Sequence, residues 1–296
     1  MAGLVPAIHV LFSSKVVDAR HKAGHDGEEG NRDMTQTDKM LSRKEGGVGY
    51  VTFNNPERLN AVSLDMWDAT KRILDDFAAD NDIRVVVLTG AGGKAFVSGA
   101  DISRFASERA DLEASRAYSK RADAAYSSIY EFPKPTIAMI RGYCIGGGLG
   151  LATCCDIRIA TDNSRFAVPA AKLGIGYGYV GLKRLIDIVG PAFAKEIFYT
   201  ARQFDAQEAL AMGLINRAVP SAELETYVKS MTDMICANAP LTIKAVKFTV
   251  GEILKDETKR SVPKTIEMVE TCYASNDFTE GRTAFMEKRK PVFTGT

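Results

Sequence analysis

Two glycine-rich stretches could hold a developing negative charge. Residues 142–156 read GYCIGGGLGLATCCD, with three glycines at 146–148 and a fourth at Gly150, and residues 96–101 read FVSGAD. Backbone N–H groups at a helix N-terminus lack partners, and the helix dipole favours negative charge there. Glycine leaves room for a ligand to approach the backbone. The two stretches therefore predict converging amides that bind a carbonyl oxygen as it becomes the negative oxygen of an enolate.

Histidine is confined to the start of the chain. The residues are His9, His21 and His25, and none follows. If this segment is not part of the fold, a Ser-His-Asp triad, a histidine base and a histidine-ligated metal are all excluded. We predict no metal site.

The composition is that of a soluble globular protein with a sizeable core. The chain has 296 residues, 46% hydrophobic and 25% charged, and a net charge of +1 without long single-sign runs. This balance favours neither nucleic acid nor an anionic membrane as a partner. Five cysteines match neither a zinc pattern nor a CxxC pattern, which predicts reduced thiols and a cytoplasmic location.

The chain divides into three parts. Residues 1–33 are polar, Gly-rich and aperiodic after an apolar start, and too acidic for a transit peptide. We interpret them as a disordered extension, which a start codon assigned upstream of Met34 would produce. Residues 34–220 predict an α/β core and residues 221–296 a helical C-terminal region.

The hydrophobic pattern predicts the main elements of this α/β protein. The predicted strands are 46–56, 83–90, 136–141, 156–161 and 165–168. The predicted helices are 63–82, with Ser63 as N-cap, 191–200, 205–213, 221–237, 240–256, 258–274 and 280–289.

From about residue 45 to 296 the chain resembles the crotonase superfamily, the enoyl-CoA hydratase/isomerase family. The matching segments are NNPERLNAVS (54–63), KAFVSGADI (94–102), KPTIAMIRGYCIGGG (134–148), CDIRIATDNSRFAVPAAKLGI (155–175), ARQFDAQEALAMGLINRAV (201–219) and EGRTAFMEKRKPVF (280–293). The resemblance implies a crotonase-type spiral of ββα units, followed by C-terminal helices that form trimers or hexamers. It also implies an acyl-CoA thioester as partner, with coenzyme A as part of the substrate and no permanently bound cofactor.

The resemblance also assigns roles to individual residues. By motif position, the amides of Ala100 and Gly147 are the oxyanion donors. The positions matching coenzyme A contacts are Arg58, Leu59, Ala61, Ala100, Asp101, Ile102, Phe285 and Lys288. The last two lie in the final helix, where relatives often make these contacts across the trimer interface.

The chain departs from the family where its hydratases carry two glutamates. The matching positions are Gly150 and Ala170, and no carboxylate lies one residue away from either. General acid–base catalysis contributes about 10²–10⁴-fold per group, so ordinary hydration is not expected.

Decarboxylation of a malonyl-type thioester suits these losses, because C–C cleavage forms the enolate without a base. A glutamate beside the departing carboxylate would repel it by about 4 kcal/mol at ~4 Å and an effective dielectric of ~20. The loop KLGIGYGYVG (172–181) resembles that of methylmalonyl-CoA decarboxylases and places Tyr177 near the acyl carboxylate. Tyr143 and Tyr179 are competitors for this role.

Two alternatives stay open at this point. One is a hydratase or isomerase whose acid–base group is Asp101, Glu131 or Asp162. The other is a protein that binds CoA thioesters without turnover.

Overall fold

The computed structural model describes residues 37–296, so the extension predicted over residues 1–33 lies outside the described residues. The strands are β1 Met40–Glu45, β2 Val48–Phe53, β3 Val85–Gly90, β4 Ala95–Val97, β5 Thr136–Ile140, β6 Tyr143–Ile145, β7 Ile157–Thr161, β8 Arg165–Ala167, β9 Phe204–Asp205 and β10 Arg217–Val219. The helices are α1 Leu64–Ala79, α2 Phe105–Glu108, α3 Leu112–Tyr130, α4 Gly147–Cys154, α5 Tyr179–Thr200, α6 Ala206–Ala211, α7 Leu224–Ala237, α8 Pro240–Ile253, α9 Val262–Ala274 and α10 Asn276–Glu287. Short 3₁₀ helices span Pro56–Arg58, Ile102–Arg104, Pro169–Leu173 and Glu257–Lys259.

The chain winds repeatedly between two sheets. The larger sheet has the order β1-β2-β3-β5-β7-β10, and the smaller has the order β4-β6-β8-β9. Three times in succession the chain passes from a strand of the large sheet to a strand of the small sheet and then into helix: β3-β4, β5-β6 and β7-β8. This recurring passage between the sheets confirms the predicted spiral of ββα units. The amino-acid sequence itself shows no internal repeat.

Both faces of the large sheet are covered. Its pairings are parallel apart from β1 with β2, and the central strands β3, β5 and β7 are almost fully buried. One face joins the main core, which reaches α1, α3 and α4. The other face packs under α7 through Leu224 and Val228. Burial on both sides explains why these strands read as continuous apolar runs in the sequence.

Most of the predicted elements are confirmed, with shifted ends. Ser63 is the N-cap residue of α1, but its hydroxyl bonds to Asp65 instead of a backbone amide. The helix predicted from residue 191 starts earlier, because α5 continues through a non-helical Gly190 (φ 73°). Helix α3 was not predicted, and it forms one wall of the cavity described below.

Beyond residue 220 the described chain is helical, as predicted. Helices α8, α9 and α10 leave a row of apolar side chains at the surface. Among residues 37–296, no helix has both the length and the apolar character needed to cross a lipid bilayer.

Candidate active site

Three loops of the candidate site follow three neighbouring strands. In the small sheet β4, β6 and β8 are adjacent and parallel. Ala100 lies just beyond β4, Gly147 just beyond β6, and Ala170 just beyond β8. Because the carboxyl ends of parallel strands meet at one edge of a sheet, these three positions come together.

The two glycine turns face each other. Gly99 has φ +107°, and a Cβ built there would lie 3.3 Å from the Ile145 carbonyl oxygen and 3.6 Å from the Gly147 nitrogen. A Cβ on Gly147 would lie 3.8 Å from the Ala100 nitrogen. The amides of Ala100 and Gly147 therefore lie close together, and the positive φ of Gly99 disfavours any residue other than glycine at that turn.

A network of hydrogen bonds ties the loop at residues 58–62 to the first glycine turn. The Val62 amide donates to the Gly99 carbonyl (2.8 Å), and the Asp101 amide donates to the Val62 carbonyl (3.0 Å). Asn60 is fully buried at positive φ, and its side-chain NH₂ donates to the carbonyls of Ala91 (2.9 Å) and Ala95 (2.8 Å). Asparagine tolerates this backbone region, so Asn60 fixes the loop from inside.

The loops enclose one cavity of about 510 Å³. Its lining includes the site residues Ala100, Ile102, Gly147, Gly150, Ala170 and Tyr177. Helix α3 closes the opposite side with Tyr118, Ala122, Asp123 and Tyr126. The structure thus brings together these six positions, which come from separate motifs, and adds a wall from α3 that the sequence pattern did not predict.

Tyr126 covers the first glutamate position. A Cβ on Gly150 would lie 3.3 Å from the Tyr126 hydroxyl and 3.4 Å from its ring. The same hydroxyl donates a hydrogen bond to the Gly147 carbonyl (3.1 Å). Burial raises the pKa of Tyr126 well above its usual value, so the hydroxyl keeps its proton at neutral pH.

Tyr177 lies in the loop before α5, with its ring against Phe198 at 4.6 Å between centroids. Burial is the main cause that raises the pKa of Tyr177 to about 12, and the nearby Cys154 and Asp123 add to it. The residue is therefore a neutral hydrogen-bond donor across the physiological range. Tyr179 also lines the cavity, although it is 73% exposed.

Asp123 is the one carboxylate among the described residues that line the cavity. The three carboxylates considered from the sequence lie outside this lining. Asp101 is buried, and its side chain accepts hydrogen bonds from the amide (3.1 Å) and the hydroxyl (2.6 Å) of Ser103. Asp101 is thereby the N-cap residue of the 3₁₀ helix Ile102–Arg104. Glu131 follows the end of α3, and Asp162 follows β7 on the surface. None of the three lines the cavity, so the structure does not support any of them as the acid–base group of the alternative reaction.

The predicted coenzyme A contacts fall in two places. Arg58 is exposed, Leu59 is half-buried, and Ala61 is buried in the loop held by Asn60. Phe285 is 83% exposed on α10, and Lys288 follows that helix at φ 55°. All five of these residues lie outside the cavity lining, and every predicted contact with coenzyme A stays a prediction. In the described part of the chain no cluster of three His, Cys, Asp or Glu side chains suits a metal ion.

Comparison with known proteins decides the family. The family model described as Enoyl-CoA hydratase/isomerase matches residues 43–296. The chain belongs to the enoyl-CoA hydratase/isomerase family. The resemblance to the crotonase superfamily is therefore confirmed over the whole α/β body and the C-terminal helices.

Named relatives of this family align over nearly their full length. A short-chain-enoyl-CoA hydratase of Clostridium acetobutylicum is 35% identical over 255 residues, which are 86% of this chain and 97% of the relative. A carnitinyl-CoA dehydratase of Escherichia coli is 34% identical, covering 85% of this chain and 97% of the relative. The crystal structure of an enoyl-CoA hydratase/carnithine racemase from Magnetospirillum magneticum superimposes with a TM-score of 0.84 at 37% identity, over 88% of this chain and 97% of that one.

Asn60, Tyr126 and Asp123 are residues of the site that the sequence pattern did not predict. Asn60 stood inside a matched motif, but a buried asparagine gives no local pattern. Tyr126 did leave a signal: Tyr118, Ala122 and Tyr126 recur every four residues, which places them on one helix face. This spacing predicts a helix with one face directed at another part of the protein. In the structure that face lines the cavity.

Proposed function

We propose that this protein stabilises the enolate of an acyl-CoA thioester between the amides of Ala100 and Gly147, and that it forms this enolate by decarboxylating a malonyl-type CoA. The observation that carries the proposal is the pair of facing glycine turns beside two positions without a carboxylate. Backbone donors that are already oriented stabilise an oxyanion without reorganisation. Coenzyme A would be part of the substrate, bound along Arg58, Leu59 and Ala61.

The side chains near the predicted oxyanion amides suit this reaction. Gly150, Ala170, Tyr126 and Tyr177 place no negative charge around the site at neutral pH. Cleavage of the bond between the α-carbon and the carboxylate sends its electron pair toward the thioester oxygen and releases CO₂. Tyr177 would hydrogen-bond the carboxylate before it leaves. Hydrogen bonds to charged groups contribute about 1.5–3 kcal/mol.

A second candidate function is hydration or isomerisation with Asp123 as the acid–base group. Two observations favour it: Asp123 lines the cavity, and relatives carry hydratase names. Asp123 stands on α3, across the cavity from the glycine turns, so it would approach the acyl chain from a different direction than the family glutamates. In this case Asp123→Asn would abolish turnover, whereas the decarboxylation proposal predicts little change.

We also propose that the protein is a homotrimer or a hexamer. The exposed apolar side chains of α8 and α9 recur at helical spacing: Val246, Val250, Ile253, Val262, Ile266, Val269 and Tyr273. Large exposed apolar surfaces of this kind mark association sites in soluble proteins. We propose that other copies of this chain cover these apolar side chains. Static light scattering of wild type and of Ile266→Asp tests this, and the variant should have a lower molar mass. A wild type that stays monomeric at micromolar concentration would contradict the assembly.

The reaction is tested by incubating the protein separately with malonyl-CoA, methylmalonyl-CoA and crotonyl-CoA and identifying the products by mass spectrometry. The proposal predicts CO₂ release from a malonyl-type thioester. Hydration of crotonyl-CoA that is lost in Asp123→Asn would instead establish the second candidate. Binding of all three without any product would show a thioester-binding protein without turnover.

A further inference from the structure

A tyrosine hydroxyl stands where the relatives' chemistry would need a carboxylate. Tyr126 comes from α3 and not from the helix that carries position 150. Its hydroxyl would lie 3.1 Å from a Cβ on Gly147 and 3.3 Å from a Cβ on Gly150. It therefore reaches the same corner of the cavity as the predicted oxyanion amides.

Neighbouring aromatic residues hold the Tyr126 ring in this position. The ring packs against Trp67 at 5.1 Å between centroids. Trp67 is itself fixed, because its Nε1 donates to the Tyr118 hydroxyl (2.9 Å) in the buried core. Packing alone would be satisfied by phenylalanine. The hydroxyl, by contrast, lies beside backbone that has to remain open to substrate.

The hydroxyl can redirect the hydrogen bond that it donates. Among the described residues its hydrogen-bond partner is the Gly147 carbonyl oxygen. A phenolic O–H rotates about its C–O bond, so the proton can turn from this carbonyl toward a group in the cavity.

We propose that Tyr126 delivers the proton that converts the enolate to product, on one face of the α-carbon. This inference rests on the proposed decarboxylation and adds a donor to it. After CO₂ leaves, the enolate electron pair forms a C–H bond with the Tyr126 proton, and the thioester carbonyl is restored. The resulting phenolate takes a proton from water, so one proton is consumed per turnover.

Tyr177 and Tyr126 then act at different steps of the proposed reaction. Tyr177 lies in the loop before α5, against Phe198, and would orient the carboxylate before cleavage. Tyr126 lies beside the glycine turns and acts after cleavage. The first affects how fast the C–C bond breaks, and the second affects how fast the enolate is protonated and from which side the proton arrives.

The experiment is decarboxylation of methylmalonyl-CoA in D₂O, because protonation then makes a stereocentre at C2 of [2-²H]propionyl-CoA. We expect wild type to give one enantiomer in clear excess. Tyr126→Phe should give nearly racemic product, because water reaches both faces, and should lower kcat by about a hundredfold with KM unchanged. Tyr177→Phe should lower kcat but keep the enantiomeric excess.

Tyr130→Phe is the matched control, because it removes a hydroxyl from the same helix outside the cavity lining. It should keep both rate and stereochemistry. An unchanged enantiomeric excess in Tyr126→Phe, or racemic product from wild type, overturns this inference and leaves the decarboxylation standing. No CO₂ release by wild type overturns the proposed function and this inference with it. If Tyr126→Phe does not fold, Tyr126→Leu is measured in the same way.

Discussion

The candidate site has two walls with different tolerances. The backbone wall consists of the turns after β4 and β6, and a Cβ on Gly148 would lie 2.0 Å from the Val97 carbonyl oxygen. The side-chain wall holds Gly150, Ala170 and Tyr126, and a Cβ on Gly150 has no contact shorter than 3.3 Å. A side chain at Gly148 would therefore overlap fixed backbone, whereas one at Gly150 requires only a small shift of the Tyr126 side chain. The backbone wall therefore preserves enolate stabilisation, while the side-chain wall determines which reaction uses it.

The largest expected effect comes from breaking the backbone wall. Gly148→Ala forces α4 away from β4, because its Cβ would meet the backbone at Val97. Loss of one oxyanion donor costs about 10²–10³ in kcat, and here both amides lose their alignment. We expect at least about a thousandfold lower turnover in a steady-state assay, with a lower melting temperature. Gly150→Ala, in the same helix, is the control and should keep most of the activity.

The next effect comes from restoring charge to the side-chain wall. Gly150→Glu with Ala170→Glu should lower decarboxylation about thirtyfold, because a carboxylate ~8 Å from the leaving carboxylate repels it by about 2 kcal/mol at a dielectric of ~20. Gly150→Gln with Ala170→Gln is the neutral control of equal size. Equal rates in the two double variants would show that charge is not what matters at this wall.

Tyr126 should also prevent these glutamates from working. A side chain at position 150 meets the Tyr126 hydroxyl at its Cβ, so the double glutamate variant should not hydrate crotonyl-CoA. Adding Tyr126→Ala should allow hydration, measured by loss of the enoyl absorbance. Hydration by the double variant with Tyr126 intact would show that the tyrosine moves aside easily.

Removing one hydrogen bond should have a smaller effect. Tyr177→Phe should lower decarboxylation about tenfold, the lower end for a hydrogen bond to a charged group. Because the pKa of Tyr177 is raised to about 12, the wild-type rate should not fall through this group's ionisation as the pH rises from 7 to 10. Tyr179→Phe is the comparison variant, and a greater loss there would transfer the role to Tyr179.

The smallest effect concerns a cysteine between the two walls. Cys154 lines the cavity, and burial raises its pKa to about 11, so roughly one thiol in a thousand is ionised at pH 8. Iodoacetamide at pH 8 should therefore leave activity unchanged while labelling the more exposed Cys236 and Cys272. Rapid inactivation, absent from Cys154→Ala, would mean that the cavity thiol is more acidic than its surroundings indicate.

The sequence predicts the two walls unequally. Gly99 and the glycines at 146–148 predict the backbone wall, because a close approach between two backbone segments favours glycine over every other residue type. On the side-chain wall, Gly150 and Ala170 show that the two glutamates are absent. They do not show which side chains occupy the space instead. Tyr126 and Asp123 come from α3, about 25 residues earlier, and which helix covers a cavity is a tertiary fact that local patterns do not contain.

The same limit applies to the carboxylates considered from the sequence. Asp101 lies next to Ala100 in sequence, yet its side chain turns away to cap the following 3₁₀ helix. Adjacency in the chain does not give the direction of a side chain. The spiral of ββα units was predicted from the family resemblance and its central strands from their apolar runs, whereas the direction of each side chain depends on the packed structure.

The ratio of kcat/KM for malonyl-type decarboxylation to kcat/KM for crotonyl-CoA hydration, measured on one wild-type preparation, tests the central claim most directly. A backbone wall without carboxylates at positions 150 and 170 predicts a ratio well above one, with hydration near the uncatalysed rate. Efficient crotonyl-CoA hydration with no CO₂ release from malonyl- or methylmalonyl-CoA would contradict the account.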